Sequence, residues 1–321
     1  RVLFRSVESQ YYRGRILSRQ GKTADAVASY RGALRREPSF TPAAFDLGVE
    51  EYNAGNYDEA AVAYNEAIKY DNGDSQAHAN LASTYRQLEQ YPAANAEYKI
   101  ASTDIKNANL YSEWGYCLGK TSEWEKAVVR LNTAVEMEPT AVDSSNVGWA
   151  YYNAGQFQLA AKNESAARTN FELARNFSQR AVSQDPKLDA GLLNLGASYN
   201  SLGEFQLAVN ALTTALDLHK DWVVALNQLG YGYRGLGDLN DAIAAFKRAV
   251  DLDGRNSFGL YNLGSAYYAA GDKKNARKIN DQLRRVDPKL SAQLDMVIAG
   301  KVIDDATRKV KQAIPRPRFP F

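Results

Sequence analysis

Few residues in this chain are of the types that carry out catalysis. There are two histidines, His78 and His219, and a single cysteine, Cys117. A structural zinc site draws about four ligands from cysteine and histidine, so these scattered residues do not form one. Neither histidine has the neighbours of a nucleophilic relay. His78 falls on an apolar stripe of helical spacing and reads as a packing residue. His219 falls where a helix should end, a place that favours a cation. Gly230-Tyr231-Gly232-Tyr233-Arg234-Gly235 matches the glycine fingerprint of dinucleotide-binding loops letter for letter. That loop needs a strand before it and a helix starting within it. Here the glycines lie inside a helical stripe, so they read as helix packing. Carboxylates are spread over solvated faces with no acid–base pair. We therefore assign no catalytic residue, no metal ligand and no cofactor site, and read the chain as non-enzymatic.

The elements behind these residues follow a ruler. Gly14, Gly48, Ala82, Gly115, Gly148, Gly196, Gly230 and Gly264 recur, and all but one of the gaps are 33 or 34 residues. Ala26, Ala60, Ala94, Ala127, Ala174, Ala208, Ala242 and Ala276 keep step with them. A fixed period of this length marks a repeat solenoid, in which each unit buries its face against its neighbours. Each period holds two helical stripes. In residues 189–222, Leu192, Leu195, Gly196 and Tyr199 form the first, and Phe205, Ala208, Leu212 and Ala215 form the second. Small residues let the two helices approach closely. Gly21, Gly55, Gly155, Gly203, Gly237 and Gly271 fall where the first helix should stop in a left-handed cap. Pro38, Pro139, Pro186 and Pro288 fall where the second helix cannot continue.

The pattern resembles the tetratricopeptide repeat. The second copy reads Leu47-Gly48, Gly55, Tyr57, Ala60, Tyr64 and Ala67, and the last reads Leu263-Gly264, Tyr267, Gly271, Ala276 and Pro288. The resemblance covers residues 7–290 in eight copies: 7–40, 41–74, 75–107, 108–140, 141–188, 189–222, 223–256 and 257–290. It implies an all-α, right-handed superhelical solenoid of helix-turn-helix repeats, read as one elongated domain. Residues 291–299, with Leu294, Val297 and Ile298 on one face, read as a capping helix, within a capping segment that extends to residue 313.

The resemblance also places the first helix of each repeat on the concave face. It nominates Phe45, Tyr52 and Asn53; Arg86 and Gln87; Tyr116 and Lys120; Trp149, Tyr152 and Asn153; Asn200; Asn227, Tyr231 and Arg234; and Phe258, Tyr261 and Tyr268. Aromatic and arginine side chains dominate binding hot spots, and about half of these positions are expected to be exposed in the groove. Just before the ruler positions stand Asp46, Asn80, Glu113, Asn146, Asn194, Gln228 and Asn262. These resemble the asparagine ladder of the O-linked N-acetylglucosamine transferase superhelix, which holds extended peptide backbones. An amide donates and accepts at once, so it reads backbone rather than sequence. The lysine–asparagine clamp of the family's co-chaperones has no counterpart at Phe45 and Val49, Ala79 and Ser83, Ser112 and Tyr116, or Ser145 and Trp149.

One gap departs from the period. Gly148 to Gly196 spans 48 residues, a surplus of 14, and Phe157-Gln158-Leu159-Ala160 is echoed by Phe171-Glu172-Leu173-Ala174. The duplication is expected to lengthen both helices of the hairpin by about two turns, with a turn near Lys162–Ser165. A separate short helix is the alternative. Asn163-Glu164-Ser165 and Asn176-Phe177-Ser178 match the glycosylation sequon.

At the ends, residues 1–6, Arg1 to Ser6, read as the translation of a sequencing adapter, which would put the natural N-terminus upstream. Ile314 to Phe321 alternates proline with basic and aromatic residues and reads as a frayed, extended tail. With 39 basic and 37 acidic residues, the net charge of +2 does not favour bulk attraction to nucleic acid or membrane. No run reaches the length of a membrane-spanning helix. A single cysteine excludes an intrachain disulfide framework. The resemblance thus implies a scaffold that binds an extended peptide or partner protein along the concave groove. The alternatives are a self-associating structural solenoid and the accessory repeats of an enzyme whose catalytic domain lies upstream.

Overall fold

The computed structural model describes residues 6–300. Residues 1–5, the segment from 301 to 313 and the proline-rich tail 314–321 lie outside the described residues. The chain divides into two compact units, the first ending at Glu138 and the second starting at Pro139. The first contains α1 (Val7–Arg19), α2 (Thr23–Leu34), α3 (Thr41–Asn53), α4 (Tyr57–Tyr70), α5 (Ser75–Gln87), α6 (Tyr91–Ala101), α7 (Ala108–Lys120) and α8 (Trp124–Met137). The second contains α9 (Ala141–Ala160), α10 (Glu164–Gln184), α11 (Asp189–Leu202), α12 (Phe205–Leu218), α13 (Val223–Leu236), α14 (Leu239–Leu252), α15 (Ser257–Ala269), α16 (Lys273–Val286) and α17 (Pro288–Ile298). No strand occurs among the described residues. Within each unit, every first helix packs on its own second helix, and that second helix packs on the next first helix.

The ruler has a steric cause. A Cβ added at Gly14, Gly48, Gly196 or Gly230 would lie 2.5 to 2.7 Å from Tyr30, Tyr64, Leu212 or Phe246 respectively. A Cβ at Gly115 would lie 2.6 Å from Leu131. In each pair the large residue follows the glycine by sixteen positions. The spacing puts the two opposite each other across one helix turn of the hairpin. Each of these side chains is almost fully buried, which stabilises the hairpin by about 1.5–3 kcal/mol if fully realised. Gly21, Gly55, Gly203, Gly237 and Gly271 close the tips with φ between 71° and 89°. Glu89, Ser122 and Lys162 take the same left-handed place in the other three hairpins, at φ 57°, 64° and 63°.

Gly155 corrects the sequence reading. It does not end a helix: α9 runs through it to Ala160, and the left-handed residue of this tip is Lys162. The reason is Phe171. A Cβ at Gly155 would lie 2.6 Å from the Phe171 ring, sixteen residues on, so Gly155 serves as a ruler glycine. Gly148 faces Ser178 and the backbone of Ala174 instead. The hairpin thus carries two glycine layers. Its helices of 20 and 21 residues share the surplus, against 11 to 14 residues in the others.

The last hairpin differs as well. Sixteen residues after Gly264 stands Asn280, too short to fill the space over the glycine. Leu294 of α17 fills it, with its Cδ2 2.5 Å from where a Gly264 Cβ would be. Leu290, Ser291 and Leu294 are buried, and Val297 and Ile298 pack partly against the same cluster. Ser291 Oγ donates to Asn280 Oδ1 at 2.8 Å, and Asn280 Nδ2 donates to Asp295 at 2.6 Å.

Candidate functional site

In the first unit, the face formed by α1, α3, α5 and α7 is polar and internally paired. Asp46 pairs with Arg15 at 3.8 Å. Burial pushes the Asp46 carboxyl above its ordinary value, against the opposing pull of Tyr11 and Arg15. Glu113 accepts from Ser83 at 2.7 Å and from the Tyr98 hydroxyl at 2.5 Å, and pairs with Arg86 at 3.4 Å. Asn80 accepts from Gln76 at 3.0 Å within its own helix. Phe45 stands edge-on to Tyr64. Tyr52 accepts from Gln87 at 3.2 Å. Lys120 lies over the rings of Tyr91 and Tyr116 at 5.3 and 5.8 Å. Phe45, Tyr52, Arg86, Tyr116 and Lys120 are half-buried, while Asn53 and Gln87 are exposed.

In the second unit, the corresponding face is formed by α9, α11, α13 and α15. Here the first helices approach one another closely: α11 packs on both α9 and α13. As a result Trp149, Tyr152, Asn153, Asn194, Asn200, Asn227 and Gln228 are all buried, and Tyr261 and Asn262 of α15 are buried as well. Asn146, Tyr231, Arg234, Phe258 and Tyr268 remain half-buried. Asn194 donates to the backbone and hydroxyl oxygens of Ser145, both at 3.1 Å. Asn200 donates to Gln228 O at 2.9 Å and Gln228 Oε1 at 3.0 Å. Asn153 and Asn227 each donate to a carbonyl one turn earlier, on Trp149 and Val223. The side-chain oxygens of Asn200, Asn227 and Asn262 are enclosed without a partner.

These contacts reveal a rule that single positions do not announce. At Asp46, Glu113 and Gln228, the residue two before the ruler pairs with a position one or four after the preceding ruler, as in Arg15–Asp46, Ser83–Glu113, Arg86–Glu113 and Asn200–Gln228. These three ladder positions, and Asn194 through Ser145, are therefore seam residues between hairpins, whereas Asn80 pairs within its own helix. Aligning the copies with an offset between adjacent repeats would have shown the pairing.

The glycine fingerprint is confirmed as helix packing. Gly230, Gly232 and Gly235 lie within α13, facing Phe246, Val209 and Phe205. His78 is buried, with Nδ1 2.5 Å from Glu97 Oε2 and Nε2 3.2 Å from Asn72 O, so it ties α5 to α6 and to the preceding loop. His219 caps α12, 3.9 Å from Asp189, and stacks on Trp222. No group of three or more potential metal ligands occurs among the described residues. None of the described helices is long and apolar enough to cross a membrane.

Comparison with known proteins bears on the fold. The family described as the tetratricopeptide repeat matches residues 11–75 and 45–105, and a second model with that description matches 233–299. The DnaJ homolog subfamily C member 7 homolog of Schizosaccharomyces pombe is 22% identical over 62% of this chain and 47% of its own length. The type IV pilus assembly protein PilF of Pseudomonas aeruginosa is 28% identical over 39% of this chain and 49% of its own. The chain thus spans about half the length of these relatives. Among solved structures, the Cut9–Hcn1 hetero-tetramer of the APC/C superposes with a TM-score of 0.61 at 16% identity, over 90% of this chain and 53% of the other. The C-terminal part of a repeat protein from Cytophaga hutchinsonii gives 0.54 at 16% identity, over 78% and 98%. These likenesses are likenesses of fold.

Proposed function

The chain belongs to the tetratricopeptide-repeat family, whose repeats act as protein-interaction scaffolds, and from that premise we propose that its second unit binds an extended peptide along α9, α11, α13 and α15. The carrying observation is the composition of that face. Half-buried Tyr231, Arg234, Phe258 and Tyr268 stand along its α13 and α15. Rigid aromatics bury much area for little rotamer entropy, and with arginine they dominate binding hot spots. The first unit is less suited to this task, because the polar groups of its face already pair with one another.

The test uses a degenerate pool of N-acetylated, amidated nonapeptides passed over the immobilised full chain. Retention above a matrix control is expected. Tyr231→Ala and Tyr268→Ala should each weaken it by about 1–3 kcal/mol, the hot-spot range, with helicity unchanged. Equal retention by both variants and the parent would place binding elsewhere. Sedimentation of the same samples measures self-association. A chain that associates and retains no peptide would favour an assembly role instead.

A further inference from the structure

The outer face of α16 carries a field of positive charge that the rest of its hairpin does not match. The helix holds six cations, Lys273, Lys274, Arg277, Lys278, Arg284 and Arg285, against one carboxylate, Asp281. It is thus +5, whereas each of the other described helices lies between −3 and +2, and the whole chain is only +2. At about 100° per residue, the six cations fall within an arc of about 140°, and all six are exposed. Ala276, Ile279, Asn280 and Leu283 hold the opposite side, which is buried where α16 packs on α15 and α17.

On the other second helices, six cations meet carboxylates: Arg31, Lys69, Lys126, Arg168, Arg175 and Arg248. On α16, Arg284 pairs with Asp281 at 3.0 Å and with Asp295 at 3.1 Å. Lys273 stands 6.0 Å from the ring centre of Tyr268. Among the described residues, Lys273, Lys274, Arg277, Lys278 and Arg285 form no ion pair. Lys273 and Arg277 stand one turn apart, as do Lys274 and Lys278, and like charges at that spacing destabilise a helix. Counter-charge brought from outside the chain would turn this repulsion into attraction.

We propose that this face docks the chain on an anionic membrane, held to lipid headgroups by charge and without insertion. The proposal is independent of the groove, which runs along first helices. The apolar side of α16 is spent on the core, so the helix has nothing to sink among acyl chains. Its exposed residues include no aromatic side chain on which a base could stack. Asp281 falls between the row of Lys273, Arg277 and Arg284 and the row of Lys274, Lys278 and Arg285. There it opposes any fixed phosphate or carboxylate that spans both rows. Lipid headgroups are mobile, so they gather at the cations and leave that point vacant. Outside α16 the chain sums to −3, so a long polyanion meets net negative charge beyond this helix. A membrane plane touches the one face alone.

The experiment sediments the full chain with vesicles of mixed phosphatidylglycerol and phosphatidylcholine, and with vesicles of phosphatidylcholine alone. Binding is expected to the anionic vesicles only, and it should be lost at high salt, which screens exposed charges. A triple variant, Lys274→Gln with Lys278→Gln and Arg285→Gln, should bind on the order of a hundredfold more weakly, at roughly fivefold per cation. A control triple, Lys22→Gln with Arg36→Gln and Lys99→Gln, removes the same net charge from exposed positions elsewhere and should bind nearly as the parent does. Circular dichroism checks that both triples keep the parent's helicity, and the comparison of vesicles and salt on the parent needs no variant. A parent chain that leaves the anionic vesicles unbound would overturn the proposal. Equal losses in the two triples, or no loss in the first, would remove the site from α16. A duplex oligonucleotide or polyglutamate should not strip the parent from the vesicles at equal anion concentration. If either did, and lost its hold in the first triple, the face would belong to that polymer and the assignment to a membrane would fall.

Discussion

Gly155 lies under the ring of Phe171, so close that a Cβ would stand 2.6 Å from Phe171 Cε1. The ring is almost fully buried between α9 and α10 and cannot withdraw without opening the hairpin. Gly155→Ala should therefore destabilise the chain by about 1–3 kcal/mol, the usual range for overpacking. Gly254→Ala is the control, since the nearest atom there is 3.7 Å away. Urea midpoints of the two variants check this. If they matched, the glycine layer would not be tight.

The second layer predicts a tolerated deletion. Removing residues 157–170 leaves Gly148 opposite Ser178 and brings Gly155 to the tip, seven residues after Gly148, where Gly55 stands after Gly48. The shortened chain should keep its helicity per residue and unfold cooperatively. Broad, probe-dependent unfolding would mean that α11 depends on the removed tip.

Leu294 is wholly buried over Gly264. Leu294→Ala should cost about 2–5 kcal/mol, and Val297→Ala, at a half-buried place, clearly less. Truncation after Pro288 should lower the melting temperature and promote association, because an uncapped hairpin exposes its apolar seam. Thermal melts and sedimentation read both effects. A truncated chain as stable as the parent would remove α17 from its capping role.

Burial pushes the Cys117 thiol from 9.0 up to about 12. The native chain therefore holds this proton where the unfolded chain releases it. The stability this provides is complete below pH 9.0 and is lost as the pH climbs to about 12. Tyr30, Tyr64 and Tyr98 are shifted upward by burial in the same sense. Cys117→Ala should flatten part of the alkaline fall in stability. At pH 8 the native thiol should react with a disulfide reagent far more slowly than the thiol of the chain unfolded in guanidinium. Equal rates would place Cys117 outside the core.

Glu113 gathers Ser83, Arg86 and Tyr98 from the preceding hairpin. Glu113→Gln leaves Arg86 without its carboxylate and should cost about 1–3 kcal/mol. The double variant with Arg86→Gln should recover part of that loss, since the stranded charge goes too. A double-mutant cycle in urea measures the coupling. Simple additivity would mean that the two side chains act independently.

The amino-acid sequence by itself determined the hairpins, because periodicity and small-residue spacing are local consequences of helix geometry. Gly14, Gly48 and Gly230 could be placed on the packed face from spacing alone. What the sequence could not decide was whether Gly155, seven residues after Gly148, turns the chain or packs inside the helix. Gly148 and Gly155 stand to each other as Gly48 stands to Gly55. The outcome depends on Phe171 and Ser178, which lie across the hairpin and are far away along the chain. The candidate site divides in the same way. Its residue types and its helix face were legible, but not the burial of Trp149, Tyr152 or Asn200, which is fixed by how closely neighbouring first helices approach. Nor was the partner of Arg86 visible from that arginine. It is Glu113, one repeat further on. Only the tertiary structure sets a side chain against its partner across a seam, because that distance is a property of packed helices and not of sequence spacing.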